Sequence, residues 1–248
     1  MFPLPYGSPL HEILYALFGL EYALLAVGLL MGKLNAEQTG RLPRPLRMLL
    51  SALLVVAAFL QWQFGARQTP VQTFAALILL GMAAGFVGDL IMARLIPVPN
   101  RLIFGILAFG VGHLFYIAAF LSLIAQGSLA RHWTLAAVPV VVLGFCVWAW
   151  YTQVRSPAAG TAINIGSLFY GLLFGATATL AIALFLHDAR YLSVAIGVLS
   201  FMASEVILGN WVIRGHVWKG VNDVIWLAYV SGQMLIVYSV ATAVNVLS

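Results

Sequence analysis

The chain has 248 residues, of which 63% are apolar and only 8% are charged, and its mean hydropathy is +1.02. A soluble domain is closer to half apolar and a quarter charged, so this composition excludes a soluble globule and predicts a large lipid-facing surface. Cys146 is the single cysteine, which excludes an intramolecular disulfide. The first ten residues contain no Lys or Arg, so we expect no secretory signal peptide.

Apolar segments long enough to cross a bilayer recur along the chain between short polar breaks that contain Gly, Pro, Ser and Asn. No ten-residue segment alternates apolar and polar residues as a transmembrane β-strand does. The chain is therefore predicted to be an all-α polytopic membrane protein, a single transmembrane domain over residues 1–248 with eight helices. The predicted spans are residues 11–31, 48–64, 71–93, 102–125, 133–152, 163–186, 191–212 and 222–246.

The positions of the twelve basic residues predict the orientation of this bundle. Assigning the loops to alternate sides places nine basic residues on one side and three on the other, and short cytoplasmic loops are the ones that retain Lys and Arg. Both termini are therefore predicted to be non-cytoplasmic, in a cell membrane that would be the inner membrane of a bacterium. The net charge of +5 then reflects topology, and no nucleic-acid partner is expected. The nine are Lys33, Arg41, Arg44, Arg47, Arg94, Arg101, Arg155, Arg214 and Lys219, and the three are Arg67, Arg131 and Arg190.

Ionisable residues inside the spans indicate function, because a charge at the bilayer centre costs about 2.5–3.5 kcal/mol. Asp89 is one of them, near the end of the third span. Small residues on its helical face would let a neighbouring helix approach closely, so its carboxylate is expected at a helix interface. There it would either serve a site or be a protonated structural group. These small residues are Gly81, Gly85 and Gly88.

The fourth span contains His113 on an aromatic face with Phe109, Tyr116 and Phe120. His113 and Tyr116 can both donate hydrogen bonds to a polar ligand, but ordinary aromatic packing explains the pattern equally well. Both interpretations stay open.

The seventh span contains Glu205, which follows Ser204 as Asp89 follows Gly88. The two acids lie four spans apart, so their helices run in the same direction, and both lie in the predicted cytoplasmic half. This indicates either a four-plus-four internal repeat or a chance similarity between apolar helices.

Two further acids have simpler explanations. Glu21 in the first span has no companion motif, and packing or pairing with a neighbour is the preferred interpretation. Asp223 opens the last span, where a carboxylate stabilises the positive end of a helix dipole. A functional role for Asp223 is the alternative.

The motifs around these residues resemble those of the YhhN-like lysoplasmalogenase family of multipass membrane proteins. The corresponding stretches are Gly88-Asp89, Gly112-His113-Leu114-Phe115-Tyr116, Ser204-Glu205 and Tyr229-Val230-Ser231-Gly232-Gln233. The second acid of that family is usually Asp. The longer side chain of Glu205 would require a compensating shift in a preorganised site, which affects the substrate more than the chemistry.

The resemblance implies hydrolysis of the vinyl ether bond of lysoplasmalogens to a fatty aldehyde and a glycerophospho-alcohol. Protonation of the β-carbon gives an oxocarbenium ion that water captures, and two carboxylates can divide these tasks as they do in glycosidases. Asp89 and Glu205 are the predicted catalytic pair, acting on a membrane lipid without metal or cofactor. The predicted substrate-binding residues are His113, Tyr116, Arg94, Asp223, Tyr229, Gln233 and Arg214, with Arg101 more simply a residue at the interface.

Two other functions remain open at this point. A metal-dependent intramembrane lipid hydrolase would use Asp89, His113, Glu205 and Asp223. However, only one His lies well inside a span, whereas hydrolytic zinc usually takes two or three. A proton-coupled transporter or a lipid-binding protein without catalytic activity would also explain acids buried in the membrane.

Overall fold

The computed structural model describes residues 9–127 and 132–247. In that part of the chain all the regular structure is helical, and eight helices are long and apolar enough to cross a membrane. The predicted all-α bundle of eight spans is thereby confirmed, while the orientation of the termini stays a prediction. Arg131, which was assigned to the outer side, lies outside the described residues.

The helices follow the predicted spans closely. They are α1 (Leu10–Met31), α2 (Arg44–Leu60), α3 (Gln72–Met92), α4 (Arg101–Gly127), α5 (His132–Ala149), α6 (Gly160–His187), α7 (Leu192–Val212), α8 (Val221–Val237) and α9 (Ser239–Leu247). Short π-helical turns extend α2 through Gln61–Ala66 and α5 through Trp150–Val154, and α8 and α9 together form the last span. The largest difference lies at the sixth span, which begins at Pro157 because a 3-10 turn precedes α6.

The last span is the most enclosed element of the bundle. In its most apolar stretch 72% of the residues are buried, against 22% in α1, so the last span lies at the centre and α1 at the edge. Around it, α3 packs on α4, α7 packs on α8, and both α4 and α5 pack on α6.

Glycines allow two of these helix pairs to approach closely. A Cβ atom added to Gly112 of α4 would lie 3.0 Å from the carbonyl oxygen of Gly81 in α3. A Cβ atom added to Gly232 of α8 would lie 2.7 Å from the carbonyl oxygen of Gly197 in α7. The close approach of a neighbouring helix that the small residues of α3 predicted is thus confirmed, and α7 and α8 use the same device.

The Gly232→Ala substitution tests how tight the second crossing is. The added methyl group would meet backbone atoms of Gly197 and Phe201 at 2.7 and 2.8 Å. Overpacking of this kind lowers the free energy of unfolding by about 1–3 kcal/mol. The measurement is the midpoint of unfolding in mixed detergent–SDS micelles. Gly19→Ala in α1 is the control, since no atom lies within 4 Å there, and equal midpoints for the two variants would contradict the prediction.

Candidate active site

The carboxylate of Asp89 joins three helices. Asp89 lies near the end of α3 and is only 5% exposed. Its Oδ2 atom accepts a hydrogen bond of 2.5 Å from the hydroxyl of Ser51 in α2 and one of 2.7 Å from the hydroxyl of Tyr229 in α8. Both donors are side chains of neighbouring helices, so the bundle itself supplies hydrogen bonds to a carboxylate that lipid could not satisfy.

Glu205 also accepts a hydrogen bond from a neighbouring helix. It lies on α7, is half-buried, and accepts a hydrogen bond of 3.0 Å from the hydroxyl of Tyr170 in α6. The ring of Tyr170 packs edge-on against that of His113, with 5.6 Å between the ring centroids. Aromatic packing behind Tyr170 therefore fixes the donor on which the Glu205 carboxylate depends.

Asp89 and Glu205 line the same cavity, which has a volume of about 690 Å³. Cavities that bind small molecules typically have volumes of roughly 300–1,000 Å³. Tyr229 and Trp226 of α8 form another part of the wall. The structure thus brings the two predicted acids together on one space large enough for a ligand.

Four arginines give this cavity a cationic side. Arg94 and Arg101 were candidates from the sequence, whereas Arg44 and Arg47 had been assigned only to topology. The guanidinium of Arg47 lies 5.4 Å from the ring centroid of Trp226, and its buried Nε atom has no acceptor among the described residues. Arginine in this setting suits a phosphate, because its planar group donates two parallel hydrogen bonds.

The backbone of Arg94 supports a role for its side chain. Arg94 follows the end of α3 with a φ of 61°, in the left-handed region that glycine usually occupies after a helix. A residue with a side chain is disfavoured there by roughly 1–2 kcal/mol. The chain nevertheless has arginine at this position, on the cavity wall.

Three predicted binding residues form a layer behind the cavity wall. Tyr116 donates a hydrogen bond of 2.7 Å to the side-chain oxygen of Gln233. His113 Nδ1 lies 3.1 Å from the hydroxyl of Thr177, and its ring stacks on that of Phe201. Of the seven predicted binding residues, only Arg94 and Tyr229 line the cavity. His113, Tyr116 and Gln233 therefore support the wall of the site.

Two other predicted binding residues have protein partners instead. Asp223 accepts hydrogen bonds from the backbone N–H groups of Arg41 and Leu42, at 2.6 and 3.4 Å, and from the Arg41 guanidinium at 3.1 Å. Arg214 donates to the backbone carbonyl of Thr152. Neither side chain lines the cavity. Asp223 instead ties the α1–α2 loop, which contributes to the cavity wall, to the first turn of α8.

Sequence reasoning missed Ser51, Tyr170, Arg44, Arg47 and Trp226. Only Ser51 could have been found from the sequence, because it is a small hydroxyl residue in an otherwise apolar stretch of α2. A tyrosine inside an apolar helix and an arginine at a helix end are both ordinary features of membrane proteins. Only the fold places these side chains beside the two acids.

The four ligands of the metal-site alternative are not gathered by the structure. Within residues 9–127 and 132–247, no group of three or more His, Cys, Asp or Glu side chains is close enough to hold a metal ion. His113 and Asp223 are engaged by Thr177 and Arg41, respectively.

A bundle of eight membrane-spanning helices, with Asp89 and Glu205 on an arginine-lined cavity, defines a polytopic membrane protein with a polar site inside the bilayer. The sequence model of the YhhN family matches residues 43–240 of the 248. The chain therefore belongs to the YhhN family. Both acids and all four arginines of the cavity lie within the matched region. The comparisons with curated proteins and with solved structures found no match.

The contact between Asp223 and the α1–α2 loop can be tested by hydrogen exchange. In Asp223→Ala the amides of Arg41 and Leu42 lose their acceptor, and we expect their exchange to be faster by at least about tenfold. A hydrogen bond to a charged group contributes roughly 1.5–3 kcal/mol. Asp188→Ala is the matched control, because Asp188 pairs only with nearby Arg190 in the contacts described, at 2.6 Å. Unchanged exchange at Arg41 and Leu42 would show that Asp223 does not hold the loop.

Proposed function

We propose that this protein is a membrane-embedded hydrolase that cleaves the vinyl ether bond of lysoplasmalogens. The observation that supports this most directly is the placement of Asp89 and Glu205 on one cavity with four arginines. A lysoplasmalogen combines a phosphate, a single hydrocarbon chain and an acid-labile bond between them. The arginines of the cavity match the phosphate, and the carboxyl groups of Asp89 and Glu205 can act on the acid-labile bond.

The proposed reaction consumes one water molecule and needs no oxidant or reductant. One carboxylic acid protonates the β-carbon of the vinyl ether, which forms a C–H bond and leaves an oxocarbenium ion. The other group, as a carboxylate, stabilises this cation and removes a proton from the water that attacks the α-carbon. The resulting hemiacetal breaks its bond to the glycerol oxygen, which is protonated, and the chain leaves as an aldehyde.

The hydrogen bonds favour a division of roles between the two acids. Asp89 accepts from two hydroxyl groups and interacts electrostatically with Arg47, and both effects stabilise a negative charge. Glu205 accepts from one hydroxyl group only. We therefore assign Glu205 as the proton donor and Asp89 as the carboxylate that stabilises the cation and activates water.

The proposal is tested with purified protein in detergent, given a lysoplasmenyl lipid and, separately, its saturated ether analogue. Wild-type protein should release aldehyde from the first lipid only, because the saturated ether has no carbon–carbon double bond that can accept a proton. Asp89→Asn and Glu205→Gln should each lower kcat by about 100-fold or more, the contribution typical of acid–base groups.

Controls separate this outcome from damage to the fold or from metal catalysis. Asp188→Asn changes a carboxylate that pairs with Arg190 and lines neither the polar cavity nor the neighbouring pocket at Glu205, so this variant should retain full activity. Exhaustive chelation should leave the rate unchanged. Full activity in Asp89→Asn or Glu205→Gln would eliminate the two-carboxylate mechanism. Cleavage of both lipids would mean that a bond other than the vinyl ether is broken.

The arginines make a second prediction about the headgroup. Arg47→Gln should raise KM for the phosphate-containing substrate by about tenfold, since charge-assisted hydrogen bonds contribute roughly 1.5–3 kcal/mol. Its effect on KM for an alkenylglycerol that lacks the phosphate should be small. Arg155→Gln is the control, because Arg155 is exposed and does not line the cavity. An equal rise in KM for both substrates would mean that Arg47 acts in the chemistry or the fold and not in phosphate binding.

A further inference from the structure

An apolar groove adjoins the polar cavity at Glu205. Its walls come from α4, α5, α6 and α7, and three residues of α7 line both spaces: Glu205, Leu208 and Val212. Along α7 the groove extends from Met202 to Ile213, which corresponds to roughly 16 Å at the rise of an α-helix. The polar site therefore adjoins a long apolar surface, and Glu205 lies between the two.

The shape of the groove suits one narrow occupant. The groove is partly open along its length, since Phe145 in its wall is 47% exposed, and its enclosed part is small, about 90 Å³ against about 690 Å³ for the polar cavity. At Gly171 of α6, which lines the groove, an added Cβ atom would meet nothing within 4 Å. One turn further along α6, Gly175 brings α5 so close that an added Cβ would lie 2.9 Å from Cys146 Sγ. The groove is thus open at Gly171 and narrows towards Cys146.

The residues that line the groove and the polar cavity are together complementary to an amphiphile. The groove offers mainly apolar side chains, such as Ile106, Phe145 and Phe174, which provide few partners for a polar ligand. The polar cavity offers four arginines to an anionic group. A molecule with a phosphate in the cavity and a hydrocarbon chain in the groove would have the bond between them beside Glu205.

We propose that the groove binds the hydrocarbon chain of a single-chain phospholipid, and that Gly171 keeps it open. The identity of the bond beside Glu205 rests on the proposed function, whereas the binding of the chain does not. One chain fits because the groove is narrow.

The test uses a saturated ether lysophospholipid with a photoreactive diazirine in its chain, which binds without being hydrolysed. In the wild-type protein the crosslinks should map to groove-lining segments of α5, α6 and α7. Gly171→Leu should lower crosslinking there by about tenfold, because a side chain of that size fills the space the chain needs. Gly166→Leu is the matched control, since Gly166 is also on α6 with nothing within 4 Å but does not line the groove.

Kinetics on lysoplasmenyl lipids give a second readout. Gly171→Leu should lower kcat/KM for a long-chain substrate by about tenfold and change that for a short-chain substrate by less than about twofold. Unlabelled lysophospholipid should compete for the crosslink, while a two-chain phospholipid at the same concentration should not. Equal competition by the two-chain lipid would overturn the single-chain proposal.

The outcomes distinguish this proposal from the proposed hydrolase function. Crosslinking in the groove without aldehyde release would retain the chain site and reject the hydrolysis. Aldehyde release with unchanged kinetics and crosslinking in Gly171→Leu would reject the groove. If Gly171→Leu does not fold, as its unfolding midpoint would show, the wild-type crosslink map decides, and labels confined to lipid-facing residues would overturn the proposal.

Discussion

The structure depends on how a carboxylate is accommodated inside a bilayer. Lipid offers no hydrogen bonds, so the carboxylate of Asp89 must find its donors within the bundle. Its donors, Ser51 and Tyr229, lie 38 and 140 residues away along the chain. Satisfying this one group therefore fixes α2, α3 and α8 relative to each other. The polar cavity lies against this junction, and its cationic wall begins on the same helices.

In both halves of the bundle the acid that lines the cavity accepts a hydrogen bond from the preceding span. Asp89 accepts from Ser51 on the preceding span, and Glu205 accepts from Tyr170 on the preceding span. In each half the span with the acid then crosses the next span through facing glycines, at Gly112 in one and Gly232 in the other. This correspondence in contacts favours the four-plus-four repeat over chance similarity, and it explains why two acids 116 residues apart reach one cavity.

The sequence predicted the parts of this molecule that a bilayer dictates. Spans follow from the length of apolar segments, and Asp89 and Glu205 were apparent because a charge in lipid is costly. Contacts between distant helices leave no such pattern. His113 was expected to bind substrate but supports the wall, and Asp223 holds a loop. Arg47 was explained by topology alone, since a basic residue at a helix end is equally suited to orienting a span and to binding a phosphate.

The position of Glu205 also explains why a longer acid suits this chain. The proposed hydrolysis would need water and a hydrocarbon chain to reach the same bond from different environments. Asn35, Glu37 and Thr39 give the cavity a polar wall on the loop side, whereas the groove beyond Glu205 is apolar. In the proposed reaction, the carboxyl group at that boundary would reach the reacting carbon while it accepts a hydrogen bond from Tyr170. The additional methylene of glutamate extends the reach of this half-buried side chain, which would let the acid lie between water and chain without a change in α7.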